Sequence, residues 1–292
     1  MSYTDVVSPE CSTAPSITSD FPKITARPNG ATSVVSIGEV PFGGDVVPII
    51  AGPCAVESQD LIKRAARMIS ELGGAVLRGG AYKPRTSPYS FQGLGIEGLE
   101  MMRQAADDAN IPLVTEVLSP ELVETMEPLV DAFQVGARNM QNFALLKALG
   151  QSTKPVLLKR SFGATLTEWI LAAEYIADSG NDQIILCERG IRSFGDETRF
   201  TLDLAGALWA RSKTRLPVIV DPSHAIGLPN LIGAATAAAV AAGLDGAMVE
   251  VHPDPTRALC DADQALHQDQ FRELITRARP IAKAIGRPLY RS

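Results

Sequence analysis

The chain has 292 residues, of which 46% are hydrophobic and 21% are charged, with 24 glycines and 20 prolines. This composition is typical of a globular protein with a large core and many turns, and it excludes the disordered, fibrous and coiled-coil classes. The formal net charge of −6 argues against a protein that binds nucleic acid through a generally basic surface.

Neither a membrane span nor an export signal is evident in the sequence. The apolar stretch 233–247 is alanine-rich and falls short of the ~18 consecutive apolar residues that a span requires. The amino terminus lacks the basic and apolar regions of a secretory signal. The spacings of Cys11, Cys54, Cys187 and Cys260 form neither a disulfide framework nor a zinc motif. We therefore expect a soluble, cytoplasmic protein.

Three regions follow one another along the chain. Residues 1–32 are dense in Ser, Thr and Pro and show no periodicity, which is typical of a flexible tail. Residues 33–45 contain short apolar runs and a Gly-Gly-Asp turn, which predict a β-hairpin that caps the main domain. Residues 46–292 have the length of one α/β barrel, typically ~250 residues.

The main region alternates short apolar or β-branched runs with amphipathic stretches of helical length. Strands are predicted at 47–51, 75–78, 113–117, 132–135, 156–159, 183–187, 218–220 and 247–251. Helices are predicted at 59–72, 97–109, 121–129, 143–149, 166–178, 201–211, 231–242 and 265–285. This alternation favours a single (β/α)8 TIM barrel over a doubly wound sheet, and no GxGxxG motif follows the first strand.

Polar or ionisable residues follow every predicted strand of the main region, and one set of them is cationic. In a (β/α)8 barrel the carboxyl ends of the strands meet at the face that carries the chemistry. Guanidinium groups bind phosphate in a bidentate manner and lysines bind it as point charges, so a cationic, phosphate-binding mouth is predicted. The set comprises Arg78, Lys83, Arg85, Arg138, Lys159 and Arg189.

A second set has the chemistry of metal ligands. Cys54, His224 and Glu250 follow the first, seventh and eighth predicted strands, and Asp261 in a later loop would complete the set. A thiolate, an imidazole and carboxylates together coordinate divalent transition metals. Such a site accepts Mn, Fe, Co or Zn, so the identity of the metal stays open.

Seven motifs occur in order between residues 46 and 285. They are AGPCAVES (51–58), LRGGAYKPRTSPY (77–89), QVGARNMQN (134–142), LLKR (157–160), CERGIR (187–192), DPSH (221–224) and VEVHP (249–253). Together they resemble the type Iβ group of the 3-deoxy-D-arabino-heptulosonate 7-phosphate (DAHP) synthase family. The KPRTS loop at 83–87 distinguishes this group from the sister 3-deoxy-octulosonate 8-phosphate synthases, which carry a Lys-Ala-Asn-Arg-Ser type loop.

The resemblance implies a role for each matching residue. The implied metal ligands are Cys54, His224, Glu250 and Asp261. The implied contacts to phosphoenolpyruvate are Arg78, Lys83, Glu116, Gly136, Ala137, Arg138, Lys159 and Arg189. The implied contacts to erythrose 4-phosphate are Arg85, Thr86 and Ser87. The implied catalytic residues are Cys54, His224 and Lys83, with Lys83 as the candidate for proton transfer to the aldehyde oxygen or to bound water.

The reaction that the resemblance implies is an aldol-like condensation of phosphoenolpyruvate with erythrose 4-phosphate and water. Its products are DAHP and phosphate, and it is the first step of the shikimate pathway to chorismate and the aromatic amino acids. A metal would serve as the Lewis acid for the aldehyde oxygen. The cationic set would offset the repulsion between two phosphorylated anions.

The sequence departs from the family pattern in three places. Residues 1–32 match neither the ferredoxin-like nor the chorismate mutase regulatory domain of many members, so we do not expect feedback inhibition through a fused domain. Residues 225–230 lack the basic pair expected after His224, and Phe200 stands where Asn is more usual. The last two departures border the active face and leave the aldose acceptor open.

Several alternatives therefore stay open. The same chemistry on arabinose 5-phosphate or on the amino analogue of erythrose 4-phosphate is one, and a non-catalytic barrel that binds phosphorylated metabolites is another. The resemblance also implies a homotetramer or dimer, and a chorismate mutase is a candidate partner. Cys260 is interpreted either as a partly buried thiol or as the partner of Cys54 in a disulfide that forms after metal loss.

Overall fold

The computed structural model describes residues 20–84 and 87–291, and within them eight parallel strands close into a barrel after a two-stranded hairpin. The hairpin strands are β1 (Val35–Ile37) and β2 (Val40–Phe42). The barrel strands are β3 (Ile49–Gly52), β4 (Val76–Arg78), β5 (Leu113–Glu116), β6 (Ala132–Val135), β7 (Val156–Lys159), β8 (Ile184–Glu188), β9 (Val218–Val220) and β10 (Ala247–Glu250). Each strand pairs with its neighbours in sequence and β10 pairs with β3, so the predicted TIM barrel and hairpin are confirmed.

Helices surround the barrel and agree with the predicted ones to within a few residues. Those between and after the barrel strands are α1 (Gln59–Leu72), α2 (Gly95–Asp108), α3 (Glu121–Met126), α4 (Phe143–Gln151), α5 (Leu166–Asp178), α6 (Leu204–Lys213), α7 (Pro222–Ile226), α8 (Pro229–Ala241) and α9 (Gln268–Ala284). The short α7 was not predicted, because five residues are too few to show a helical period. Its signals are local: Asp221 accepts a hydrogen bond from the backbone NH of His224, and Pro222 occupies the first turn.

The hairpin covers the amino-terminal end of the barrel. Its apolar side chains, including Ile37 and Phe42, are buried in one cluster with Val76 and Ala132, which are the first residues of β4 and β6. Burial of such side chains is the main favourable contribution to folding. The amino-terminal end is therefore closed, and the carboxyl-terminal end is the face left for a ligand.

Part of the predicted tail lies against the barrel. Residues 1–19 are outside the described part of the chain, but Phe21 and Ile24 are fully buried in the main core. The backbone NH of Arg215 donates to the carbonyl of Ile24 at 2.9 Å. Two isolated apolar residues show no periodicity, so the sequence carried no signal for this contact. Along the described chain no helix is both long and apolar enough to cross a membrane.

Candidate active site

A cavity of about 310 Å³ opens at the carboxyl ends of the barrel strands. It brings together eleven of the residues that the sequence singled out. They are Arg78, Lys83, Ser87, Glu116, Gly136, Ala137, Arg138, Lys159, Arg189, His224 and Asp261. Cys54 and Glu250 are buried and contact residues of this lining. Arg85 and Thr86 lie outside the described residues.

Four further residues line the cavity that the sequence analysis did not select. They are Pro84, Ser90, Gln134 and Arg199. Gln134 lies inside β6 rather than after it, and Arg199 follows the end of β8 by eleven residues. Arg199 was within reach of sequence reasoning, since the adjacent Phe200 had already been placed at the border of the active face.

Alternation along the strands decides which charged residues reach the cavity. Lys159 and Arg189 line it, whereas the adjacent Arg160 and Glu188 pair with each other away from it at 3.0 Å. Successive residues of an extended chain point to opposite sides, so Lys159 faces the cavity and the neighbouring Arg160 faces away from it. Arg160 also binds Asp203 at 2.8 Å, and the buried network holds the base of the β8–α6 loop.

Two glycines allow charged side chains to approach the backbone closely. A Cβ at position 136 would lie 2.0 Å from Glu116 Oε1, and a Cβ at position 80 would lie 2.6 Å from Lys83 Cδ. Both distances are far below van der Waals contact. A side chain at position 136 or 80 would therefore displace the Glu116 carboxylate or the Lys83 side chain from its position beside the cavity.

Arg189 is poised for an anionic ligand. Its Nη1 atom is buried and has no hydrogen-bond partner among the described residues. Burial lowers the pKa of Arg189, and its guanidinium lies 4.6 Å from the centre of the Phe200 ring. A cation held against an aromatic face with a free donor is well placed to bind a phosphate or carboxylate oxygen.

The four predicted metal ligands fall into two overlapping groups, one of which also contains Cys260, a residue that was not predicted as a ligand. The ligand atoms of His224, Glu250 and Asp261 lie within 4.8 Å of one another, and so do those of Cys54, Cys260 and Asp261. Cys54 Sγ is 3.1 Å from Asp261 Oδ2. This set of sulfur, nitrogen and oxygen donors fits a divalent transition metal. Glu250 Oε1 is buried without a hydrogen-bond partner among the described residues, as suits an oxygen that would bind a cation.

Hydrogen bonding orients the His224 ring as a metal ligand requires. Its Nδ1 lies 2.7 Å from Asp221 Oδ2, which leaves Nε2 facing Glu250 Oε2 at 3.3 Å. Burial lowers the pKa of His224 to about 3, so the imidazole is neutral. Burial opposes the charge on Asp221, but His224 and Lys159 outweigh it and hold the pKa of that carboxyl well below its usual value. A carboxylate that fixes the far ring nitrogen is the usual support of a ligating histidine.

Lys83 joins the ligand cluster to the cavity. Its Nζ is 2.9 Å from Cys54 Sγ and 2.9 Å from the Cys54 carbonyl oxygen. Burial alone would lower the pKa of Lys83, but the negative charge of Cys54 in its thiolate form outweighs that effect and raises the pKa. A hydrogen bond with Cys260, together with burial, raises the pKa of the Cys54 thiol well above its usual value. A metal that binds Cys54 must therefore displace a proton.

The closed parallel barrel and the charged cavity at the carboxyl ends of its strands are those of the (β/α)8-barrel enzymes. The model of the DAHP synthetase I family matches residues 25–284, and the chain belongs to this family. The resemblance read from the seven motifs is thereby confirmed.

Individual relatives agree with this assignment. The chain is 50% identical over 254 residues, 87% of its own length and 75% of the relative's, to the phospho-2-dehydro-3-deoxyheptonate aldolase of Thermotoga maritima. It is 34% identical over 262 residues, 82% of the chain and 93% of the relative, to a 2-dehydro-3-deoxyphosphooctonate aldolase of Syntrophotalea carbinolica. The crystal structure of the Thermotoga maritima enzyme superposes with a TM-score of 0.87 and 47% identity, covering 91% of this chain and 78% of that one.

Proposed function

We propose that this chain condenses phosphoenolpyruvate with erythrose 4-phosphate and water to give DAHP and phosphate. The observation that carries the proposal is the 50% identity to a heptonate-forming relative, against 34% to an octonate-forming one. A cavity lined by six Arg and Lys residues, with Lys83 among them, supports it, because both substrates are phosphorylated anions. Under this proposal the chain supplies the first step of the shikimate pathway.

Phosphoenolpyruvate would occupy the part of the cavity lined by Arg138, Lys159 and Arg189. The free Nη1 of Arg189 supplies a donor that needs no rearrangement to bind an anion. Lys159 is buried and forms an ion pair with Asp221. This pair fixes the position of its ammonium group in the lining of the cavity. Glu116, Gly136 and Ala137 form the wall next to this group.

Cys54, His224, Glu250 and Asp261 would hold a divalent metal at the bottom of the cavity. When bound, the metal supplies Lewis-acid polarisation of an aldehyde oxygen. The chain itself holds the His224 ring through Asp221 and keeps Lys83 protonated beside Cys54. Lys83 is thereby placed to transfer a proton to the aldehyde oxygen or to water.

The direct test is phosphate release from phosphoenolpyruvate with each aldose phosphate, with and without a chelator. We expect turnover with erythrose 4-phosphate, lost on chelation and restored by Mn²⁺. Faster turnover with arabinose 5-phosphate or with the amino analogue would show that the proposed acceptor is wrong and that the proposed reaction type is right. No product with any acceptor in the metal-replete protein would favour a phosphometabolite-binding barrel. A homotetramer or dimer, a chorismate mutase partner and a cytoplasmic location stay predictions.

A further inference from the structure

Gln264 connects the wall of the cavity to the proposed metal ligand Glu250. Its side chain is buried, in the short helical turn that follows Asp261. Its amide nitrogen donates a hydrogen bond to Glu250 Oε2 at 3.0 Å. Its amide oxygen accepts a hydrogen bond from Arg199 Nη1, and Arg199 lines the cavity.

The charges at its two ends set the orientation of this amide. Glu250 offers only acceptor atoms when ionised, and the Arg199 guanidinium offers only donors. Rotating the amide by half a turn would place its oxygen against the carboxylate and its NH2 group against the guanidinium. Both contacts would be repulsive. The position of Arg199 and the position of the Glu250 carboxylate are therefore tied through one side chain.

Gln264 also helps to fix the rotation of the Glu250 carboxylate. Oε2 is in contact with Gln264 and with Arg78 Nη1, the latter at 3.4 Å. Oε1 is buried with no hydrogen-bond partner among the described residues. Two donors on Oε2 thus hold the carboxylate in one rotation, with Oε2 3.3 Å from His224 Nε2 and with Oε1 left without a donor among the described residues. Groups that hold a ligating carboxylate in this way set the affinity of the metal site.

We propose that Gln264 is a positioning residue that couples Arg199 to Glu250, so that the anion-binding wall of the cavity and the metal site are energetically linked. The inference rests on the proposed function, in which Glu250 is a metal ligand. Among the described residues no hydrogen bond or ion pair joins Arg199 to a proposed metal ligand, and only its charge reaches Asp261. Its removal would release the amide oxygen of Gln264 and allow the amide to turn. Loss of the Arg199 cation at the cavity wall would then change the metal affinity of the site.

The test is a calorimetric titration of the metal-free protein with Mn²⁺, which needs no turnover. It compares the wild type with Gln264→Met, Arg199→Met and the double variant. The matched control is Gln183→Met, an exposed glutamine that precedes β8 at the opposite end of the barrel. We expect each single variant to weaken Mn²⁺ binding by at least ~10-fold. The double variant should bind no more weakly than Gln264→Met, because Arg199 acts through that amide.

The possible outcomes distinguish a failure of the proposed coupling through Gln264 from a failure of the proposed metal site. Wild-type Mn²⁺ affinity in Arg199→Met, or additive losses in the double variant, would overturn the coupling while leaving the metal site intact. A wild type that binds no Mn²⁺ would overturn the proposed metal site and the inference with it. Arg199 is exposed, so Arg199→Met gives a decisive result even where Gln264→Met lowers the yield of folded protein.

Discussion

Lys83 is the residue on which the proposed proton transfer depends. Its Nζ lies between the Cys54 sulfur and the cavity, and its raised pKa keeps it protonated. We expect Lys83→Met to lower kcat by at least ~100-fold, the usual contribution of a general acid, with the metal content unchanged. The measurement is steady-state phosphate release together with metal analysis. Lys147→Met, at an exposed position on α4, is the control, and near-normal turnover of Lys83→Met would refute the role.

Cys54 and Cys260 are the second residue-scale case. Their sulfur atoms are 3.2 Å apart, and both thiols are buried and not joined in a disulfide. A disulfide requires ~2.05 Å, so a small movement suffices once no metal occupies Cys54. We expect oxidised, metal-free protein to form this bridge and metal-replete protein to resist it. Peptide mass spectrometry checks the pairing, with the fully buried Cys187 as internal control; free thiols at both positions would dismiss the bridge.

At the scale of the elements, the Arg160 network joins the ends of β7 and β8 to α6. Arg160 binds Glu188 and Asp203, and its Nη2 donates to the carbonyl of Ala164. Removing one member of a buried ion pair leaves the other charge uncompensated, which costs about 3–5 kcal/mol. We therefore expect Arg160→Met to lower the free energy of unfolding by that amount.

Denaturant titration of the Arg160 variant is the measurement, and Arg277→Met is its control. Arg277 forms an exposed pair with Glu273 on α9, and such pairs contribute at most about 1 kcal/mol. Equal effects of the two substitutions would show that the buried network adds nothing beyond a surface pair. The comparison distinguishes the effect of the buried network at the β8–α6 loop from the effect of removing any positive charge.

At the scale of the whole molecule, the segment before the hairpin ties the amino-terminal region to the barrel. Phe21 is fully buried in the main core, whereas Phe194 on the β8–α6 loop is fully exposed. We expect Phe21→Ala to cost about 3–5 kcal/mol of unfolding free energy, as core Phe→Ala substitutions do. Phe194→Ala should change it by no more than about 0.5 kcal/mol. Chemical denaturation of both variants tests this, and an unchanged midpoint for Phe21→Ala would contradict the packing.

Much of this protein followed from its sequence, because the main signals are local. Short apolar or β-branched runs alternate with amphipathic stretches of helical length along the chain, so strand and helix positions such as 132–135 and 166–178 were predicted to the residue. In a (β/α)8 barrel the carboxyl end of every strand faces one cavity. Knowing where each strand ends was therefore enough to bring Arg78, Lys159 and His224 together.

Contacts between distant segments were decided by the tertiary structure alone. The partners of Arg160 are Glu188 and Asp203, which lie 28 and 43 positions further along the chain, so the sequence did not predict this network. Cys260 lies 206 positions from Cys54, and Gln264 lies 65 positions from Arg199. These residues, like the buried Phe21, belong largely to segments that show no periodicity. Periodicity reports the face of an element, whereas loop contacts depend on how all the elements pack. For that reason the sequence predicted which residues meet at this cavity, but it did not predict the contacts that hold them there.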